Sequence, residues 1–143
     1  AENDLFEHPD GRITMVIRAD GLGGLLYKAE SKDGGKTWPK VGTSTVSRKI
    51  RNPQFTAFGG KYYLHGRSGA YGDGSGHMIL YMSDDGITWD DGVYLRMRTA
   101  GAGAYSNSLV VDSPDGSGKQ RLLIQASHAY EDSKTNVLHW WLE

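Results

Sequence analysis

One phrase occurs twice in this chain and dictates most of what the chain can fold into. Ser31-Lys-Asp33-Gly-Gly35-Lys-Thr37-Trp38 reads S-x-D-x-G-x-T-W, and Ser83-Asp-Asp85-Gly86-Ile-Thr88-Trp89 is the same phrase with one residue fewer between Asp and Thr. Each copy follows an apolar β-type run, Leu25-Leu26-Tyr27 in one case and Met78-Ile79-Leu80-Tyr81-Met82 in the other, and 52 positions separate Ser31 from Ser83. A motif that recurs at such an interval, always after a strand, marks a repeat architecture with one supersecondary unit per repeat. The phrase has the chemistry of a hairpin turn. Gly34, Gly35 and Gly86 can take the positive φ of a tight turn. Asp33 and Asp85 can accept hydrogen bonds from the turn's own N–H groups, with Ser31 and Ser83 assisting. Trp38 and Trp89 offer large apolar faces to pin the turn to its sheet. All these roles are structural.

Composition agrees with many short strands. Twenty Gly and four Pro stand in 143 residues, and no stretch holds a sustained helical period of apolar residues, so the chain reads as all-β. Net charge is −1 and neither sign forms a long block, which argues against nucleic acid or an anionic membrane as the main partner. No apolar run approaches the roughly 18–20 residues that a membrane-spanning helix needs. The absence of cysteine removes disulfides and thiolate zinc sites without separating cytosol from periplasm; a secreted or periplasmic location is favoured. The chain opens on Ala1-Glu2, as a processed or truncated product would.

A unit repeats along the chain. Asp10-Gly11 is a turn, Arg12–Arg18 a strand, Asp20–Gly24 a loop and Leu25–Ser31 a strand before the first phrase. Gly59-Gly60, Lys61–Arg67, Ser68–Gly76 and His77–Ser83 repeat that order before the second phrase. Asp115–Gly118, Gln120–Ser127, a loop at His128–Lys134 and a strand at Thr135–Leu142 make a third unit. Further strands precede each unit near Asp4–Glu7, Gln54–Phe58 and Ser108–Val111. The expected units are 1–45, 46–100 and 101–143.

The repeated phrase is the Asp-box of the sialidase (neuraminidase) superfamily, and the chain resembles the C-terminal half of one of its BNR-repeat β-propellers. That resemblance implies blades of four-stranded antiparallel sheet, with Ser31, Asp33, Gly35, Thr37, Trp38, Ser83, Asp85, Gly86, Thr88 and Trp89 in Asp-box turns at the periphery. It implies about three blades of a six-bladed ring, so that a missing N-terminal half or a second copy would be needed to close it. Glu2 through Ile17 is similar to the family's E-x4-E-x-P-D-G-R-L run, whose first Glu activates the nucleophile. Arg18 falls at the family's second carboxylate-binding arginine and Arg67 at its third. Tyr105-Ser106, after Gly101-Ala-Gly103-Ala, looks like the pair that carries the nucleophilic tyrosine. The first arginine of the triad and the aspartate acid belong to blades this chain lacks.

The chemistry needs these residue types. A sugar whose anomeric carbon also bears a carboxylate repels an anionic nucleophile, whereas a neutral Tyr hydroxyl with Glu as base does not. Arginines clamp the carboxylate with two parallel hydrogen bonds. The implied activity is that of a glycoside hydrolase acting on a terminal acidic sugar, without a cofactor. Two alternatives stay open: a non-catalytic propeller module that binds carbohydrate or protein, with loops such as Ala70-Tyr71-Gly72 stacking on sugar, and a propeller enzyme that cleaves another acidic polysaccharide. His65, His128 and His139 read as sheet or loop residues, since no His/Asp spacing makes a metal site.

Overall fold

The computed structural model describes residues 2–19, 26–44, 46–68, 76–97, 103–131 and 134–143. Among the described residues there are eleven strands and no helix. They form three antiparallel sheets in sequence order. The first contains β1 (Asn3–Glu7), β2 (Ile13–Arg18), β3 (Leu26–Ser31) and β4 (Lys40–Ser44). The second contains β5 (Ile50–Phe58), β6 (Lys61–Ser68), β7 (His77–Ser83) and β8 (Val93–Arg96). The third contains β9 (Ser106–Asp112), β10 (Gln120–Glu131) and β11 (Lys134–Leu142). Each strand pairs with its sequence neighbour, because hairpin turns such as Asp10-Gly11 and Gly59-Gly60 reverse the chain after a few residues.

The third sheet has the three strands read for its unit, whereas the first two each add a fourth, β4 and β8, after the repeated phrase. One expectation is corrected. The loop expected at His128–Lys134 is mostly strand: β10 runs on to Glu131 and β11 starts at Lys134, with His128 paired to Asn136 and a register shift between Ala129 and Glu131. The alternation of buried residues through Ala126 and His128 continues past the expected boundary, and tertiary pairing extends the strand with it. The loops expected at Asp20–Gly24 and over most of Ser68–Gly76, Tyr71 included, lie outside the described residues.

Alternation within the middle sheet decides how the sheets stack. On β6, Leu64 points to one face and Tyr63 and His65 to the other. Leu64 joins Val16, Leu26, Ile50, Phe55, Ile79 and Tyr81 in a core shared with the first sheet. Tyr63 joins Met78, Leu80, Leu122, Ile124 and Ala126 in a core shared with the third. β7, covered on both faces, accordingly reads as the continuous apolar run Met78–Met82. The opposite face of the third sheet leaves Leu109, Val137 and Trp141 exposed, with Arg121 stacked 4.2 Å above the Trp141 ring.

The repeated phrases close the outer hairpins through their own side chains. Ser31 Oγ donates to Asp33 Oδ1 (2.8 Å) and accepts from Gly35 N (2.9 Å), while Asp33 accepts from Thr37 N (2.9 Å) and Thr37 Oγ1 (2.6 Å). The second turn repeats this with Ser83, Gly86, Ile87 and Thr88 around Asp85. Gly34, Gly35 and Gly86 all have positive φ (71°, 84° and 70°). Donors from Thr37 pull the Asp33 carboxyl down to about 2, and the Thr88 and Ile87 N–H groups do the same to Asp85. The two tryptophans differ. Both are half-buried, but Trp89 packs edge-on to Phe55 at 5.8 Å, against the first core, whereas Trp38 donates Nε1–H to Gly35 O (3.2 Å).

This turn chemistry makes two predictions. Trp89→Ala should cost about 2 kcal/mol, less than loss of a fully buried aromatic because the ring is only half-buried against the core, and Trp38→Ala about 1 kcal/mol. Equal costs in urea titrations would contradict the difference in packing. Because the folded Asp33 and Asp85 titrate below their unfolded values, the stability they contribute is present above pH 4 and is lost as pH falls from about 4 to 2. Asp33→Asn and Asp85→Asn should flatten acid unfolding in that window; an unchanged acid limb would show that the turns are not its cause.

Candidate functional site

The strand ends that carry Glu2, Arg18, Arg67 and Tyr105 lie at one end of the stacked sheets. Glu2 precedes β1 and Arg18 ends β2, and Arg18 N donates to Glu2 O at 2.8 Å. Arg18 Nη1 also forms an ion pair with Glu2 Oε2 at 2.9 Å. The same oxygen accepts from Asn52 N of β5 at 2.8 Å. Burial opposes charge on Glu2, but the Asn52 N–H, the Arg18 bond and the fields of Arg18 and Arg67 prevail and hold its carboxyl below the usual range. Arg67, near the end of β6, places its guanidinium carbon 4.8 Å from the centre of the Tyr105 ring. The four residues thus form two contacts, Arg18 with Glu2 and Arg67 with Tyr105, bridged by β5, where Asn52 donates to Glu2 and its neighbour Arg51 lies opposite Arg67.

Tyr105 is presented rather than packed. The residue is 56% exposed, while the backbone around it is fixed by three bonds to one serine. Tyr105 N donates to Ser127 Oγ (3.1 Å), Ser127 N to Tyr105 O (3.0 Å), and Ala104 N to Ser127 O (2.7 Å). Ala104 takes φ 61°, a conformation a non-glycine residue adopts only under constraint. One residue on, Ser106 Oγ lies 3.0 Å from Nδ1 of His65, which is fully buried. Burial holds the His65 imidazole down to about 4, so it is neutral at neutral pH, and its Nε2 has no hydrogen-bond partner among the described residues.

Three contributors were not singled out from sequence: Arg51, Asn52 and Ser127. Arg51 is the direct cross-strand partner of Arg67. The register then shifts, so that Gln54 pairs with His65 and Asn52-Pro53 bulges. Asn52 sits at φ 48°, and a Cβ on Gly66 would meet Arg51 O at 2.6 Å and Asn52 O at 2.9 Å, so only glycine fits opposite the bulge. The Asn-Pro dipeptide is the sequence signal for this departure from regular strand.

A cavity of about 1000 Å³ opens at the other end of the sheets, where Phe6, His8, Phe58, Tyr62, Val110 and Gln120 line the hairpin turns. His8 there bonds to Thr14 Oγ1 (2.8 Å) and Tyr62 Oη (3.2 Å) within an aromatic cluster, a satisfied structural histidine. Among the described residues no three His, Asp or Glu side chains converge as metal ligands.

No protein-family model matches the chain, and no curated protein sequence matches it. Solved structures do. The chain is similar to a protein of unknown function from Dyadobacter fermentans, at 20% identity and TM-score 0.73, over 99% of this chain and 37% of that one. It is similar to a thermostable family-43 glycoside hydrolase, at 14% identity and TM-score 0.65, over 99% of this chain and 55% of that one. It is also similar to an endo-1,4-β-xylanase from Bacteroides thetaiotaomicron, at 14% identity and TM-score 0.59, over 96% of this chain and 53% of that one. The chain therefore spans between 37% and 55% of these proteins, and at such identities the likeness is one of fold.

The buried histidine generates a prediction. Its folded pKa lies below its ordinary 6.5, so the unfolded chain takes up the proton first and stability should fall as pH drops from about 6.5 towards 4. His8 and His128, also lowered, add to the same slope. His65→Gln should make the slope shallower in denaturant titrations at pH 4 to 7; an identical slope would mean that His65 does not stay neutral in the fold.

Proposed function

We propose that this chain forms part of a propeller-type glycoside hydrolase of the sialidase kind, acting on a sugar that carries a carboxylate. The observation that carries the reading is that the Arg18–Glu2 ion pair and the Arg67–Tyr105 contact lie at one end of the stack, bridged by Asn52 and Arg51 of β5. In this reading the three sheets are successive blades, and the Ser-x-Asp turns are Asp-boxes that hold their outer hairpins. Tyr105 Oη attacks the anomeric carbon, Glu2 takes its proton, and Arg18 and Arg67 hold the carboxylate. The group that protonates the departing oxygen is not among these residues. The fold likeness to a family-43 glycoside hydrolase and a xylanase supports carbohydrate as the ligand class.

One observation favours a second reading. Glu2 is already engaged by Arg18 and by Asn52 N, and a carboxylate held below its usual pKa is a weak base. A site built this way could bind an acidic sugar without turning it over.

Rates on aryl sialosides and aryl glucuronides, measured with the natural-length protein, separate the two. For the enzyme, Tyr105→Phe and Glu2→Gln should each lower kcat by about 10²–10⁴. Turnover that survives Tyr105→Phe would remove the nucleophile assignment. Acidic-sugar binding with no turnover in the wild type would establish the binding module.

A further inference from the structure

The two arginines expected to share a carboxylate are not equally available. Arg18 is committed to Glu2 at 2.9 Å. Arg67 stands directly across the sheet from Arg51 instead. Like charges in directly opposed positions of an antiparallel pair repel, with Cβ atoms about 5 Å apart. The Nε of each guanidinium is buried, and neither finds a hydrogen-bond acceptor among the described residues. Beside them, Asn52 Oδ1 is buried and unpartnered too, on the residue whose left-handed backbone makes the bulge. Two arginines at opposed positions on one face of the sheet, each with an unspent Nε donor, can receive an anion.

The charge balance indicates what kind of anion. At this end of the stack Arg18, Arg51, Arg67 and Arg96, the last two both opposite Met78, stand with the carboxylates of Glu2 and Asp4, which also accept N–H groups from β5. The guanidiniums outnumber these carboxylates. A carboxylate can accept parallel N–H bonds from paired planar guanidiniums. The exposed Tyr105 ring beside Arg67 supplies a flat apolar face next to that position, on which the ring of a sugar can lie.

We propose that Arg51 and Arg67, paired across β5 and β6, form the carboxylate clamp for an acidic sugar, while Arg18 serves to position Glu2. This inference rests on the acidic-sugar reading above and reassigns the arginines within it. The Asn52-Pro53 bulge and Gly66 are then parts of the clamp, because they set the register that brings Arg51 opposite Arg67.

The test is a titration of the ¹⁵N-labelled full chain, following arginine Nε–Hε resonances. The probes are N-acetylneuraminic acid, glucuronic acid and, as a neutral control, methyl glucoside. At least one of the acids should shift the Arg51 and Arg67 resonances together, and the neutral sugar should shift neither. Arg51→Gln should weaken binding of the acid by about tenfold or more, and Arg51→Lys should restore only part of it, since a lysine lacks the planar fork. Melting scans show whether each variant folds, and the loss is read from Arg51→Lys alone if Arg51→Gln does not fold. Wild-type affinity in the folded Arg51 variants, with loss in Arg67→Gln or Arg18→Gln, would overturn the clamp and leave the acidic-sugar reading intact. If neither acid moves any arginine of the wild type, both fall.

Discussion

The innermost strand of the middle sheet has a free edge, and two carboxylates from the first sheet complete it. Glu2 accepts from Asn52 N at 2.8 Å and Asp4 from Phe55 N at 2.7 Å. A buried N–H without a partner costs about 1–3 kcal/mol, so these acceptors are a condition for stacking the sheets edge to edge at the centre. They also fix the electrostatics. Two carboxylates laid along β5 draw Arg18 to Glu2, while Arg51 on β5 faces Arg67 one strand further on. The candidate site is thus a by-product of how the first two sheets are joined.

Everything around that joint is shaped by close approach. Gly66 lets the backbone of Arg51 and Asn52 come to within 2.6–2.9 Å of where a side chain would begin, and the resulting bulge turns Asn52 N toward Glu2. On the far side, Ser127 holds the backbone of Tyr105 so that its ring stands in solvent over Arg67. Three sheets each contribute one component, and none could assemble the site alone. The peripheral Ser-x-Asp turns act at a distance: they close the hairpins whose strands form the two cores, and take no part in the cluster.

Much of the fold was legible because its signals are local. A turn phrase, Gly pairs at hairpins and the apolar run Met78–Met82 each determine their own few residues, and His77–Ser83 is a strand with the bounds read from sequence. The end of β10 was not legible, since polar residues such as His128 and Glu131 carry no strand signal and only the pairing with β11 keeps them extended. The four site residues were singled out from a resemblance and from strand position; in the structure Arg18 meets Glu2 and Arg67 meets Tyr105. Arg51 escaped because its importance is a property of register: the residue matters for lying opposite Arg67, and that depends on a bulge whose only trace in sequence is Asn52-Pro53. Ser127 escaped for the same reason, as its bonds reach a residue 22 positions away.

The central claim is that this end of the stack recognises a carboxylate on a sugar. Isothermal titration of the chain with a carboxylated monosaccharide and with its methyl ester, at low and at moderate salt, tests it most directly, because the ester removes the charge and adds only one methyl group. The expected result is binding of the acid that weakens with salt, and an ester at least about tenfold weaker. Equal affinity for acid and ester, or a preference for the ester, would contradict it.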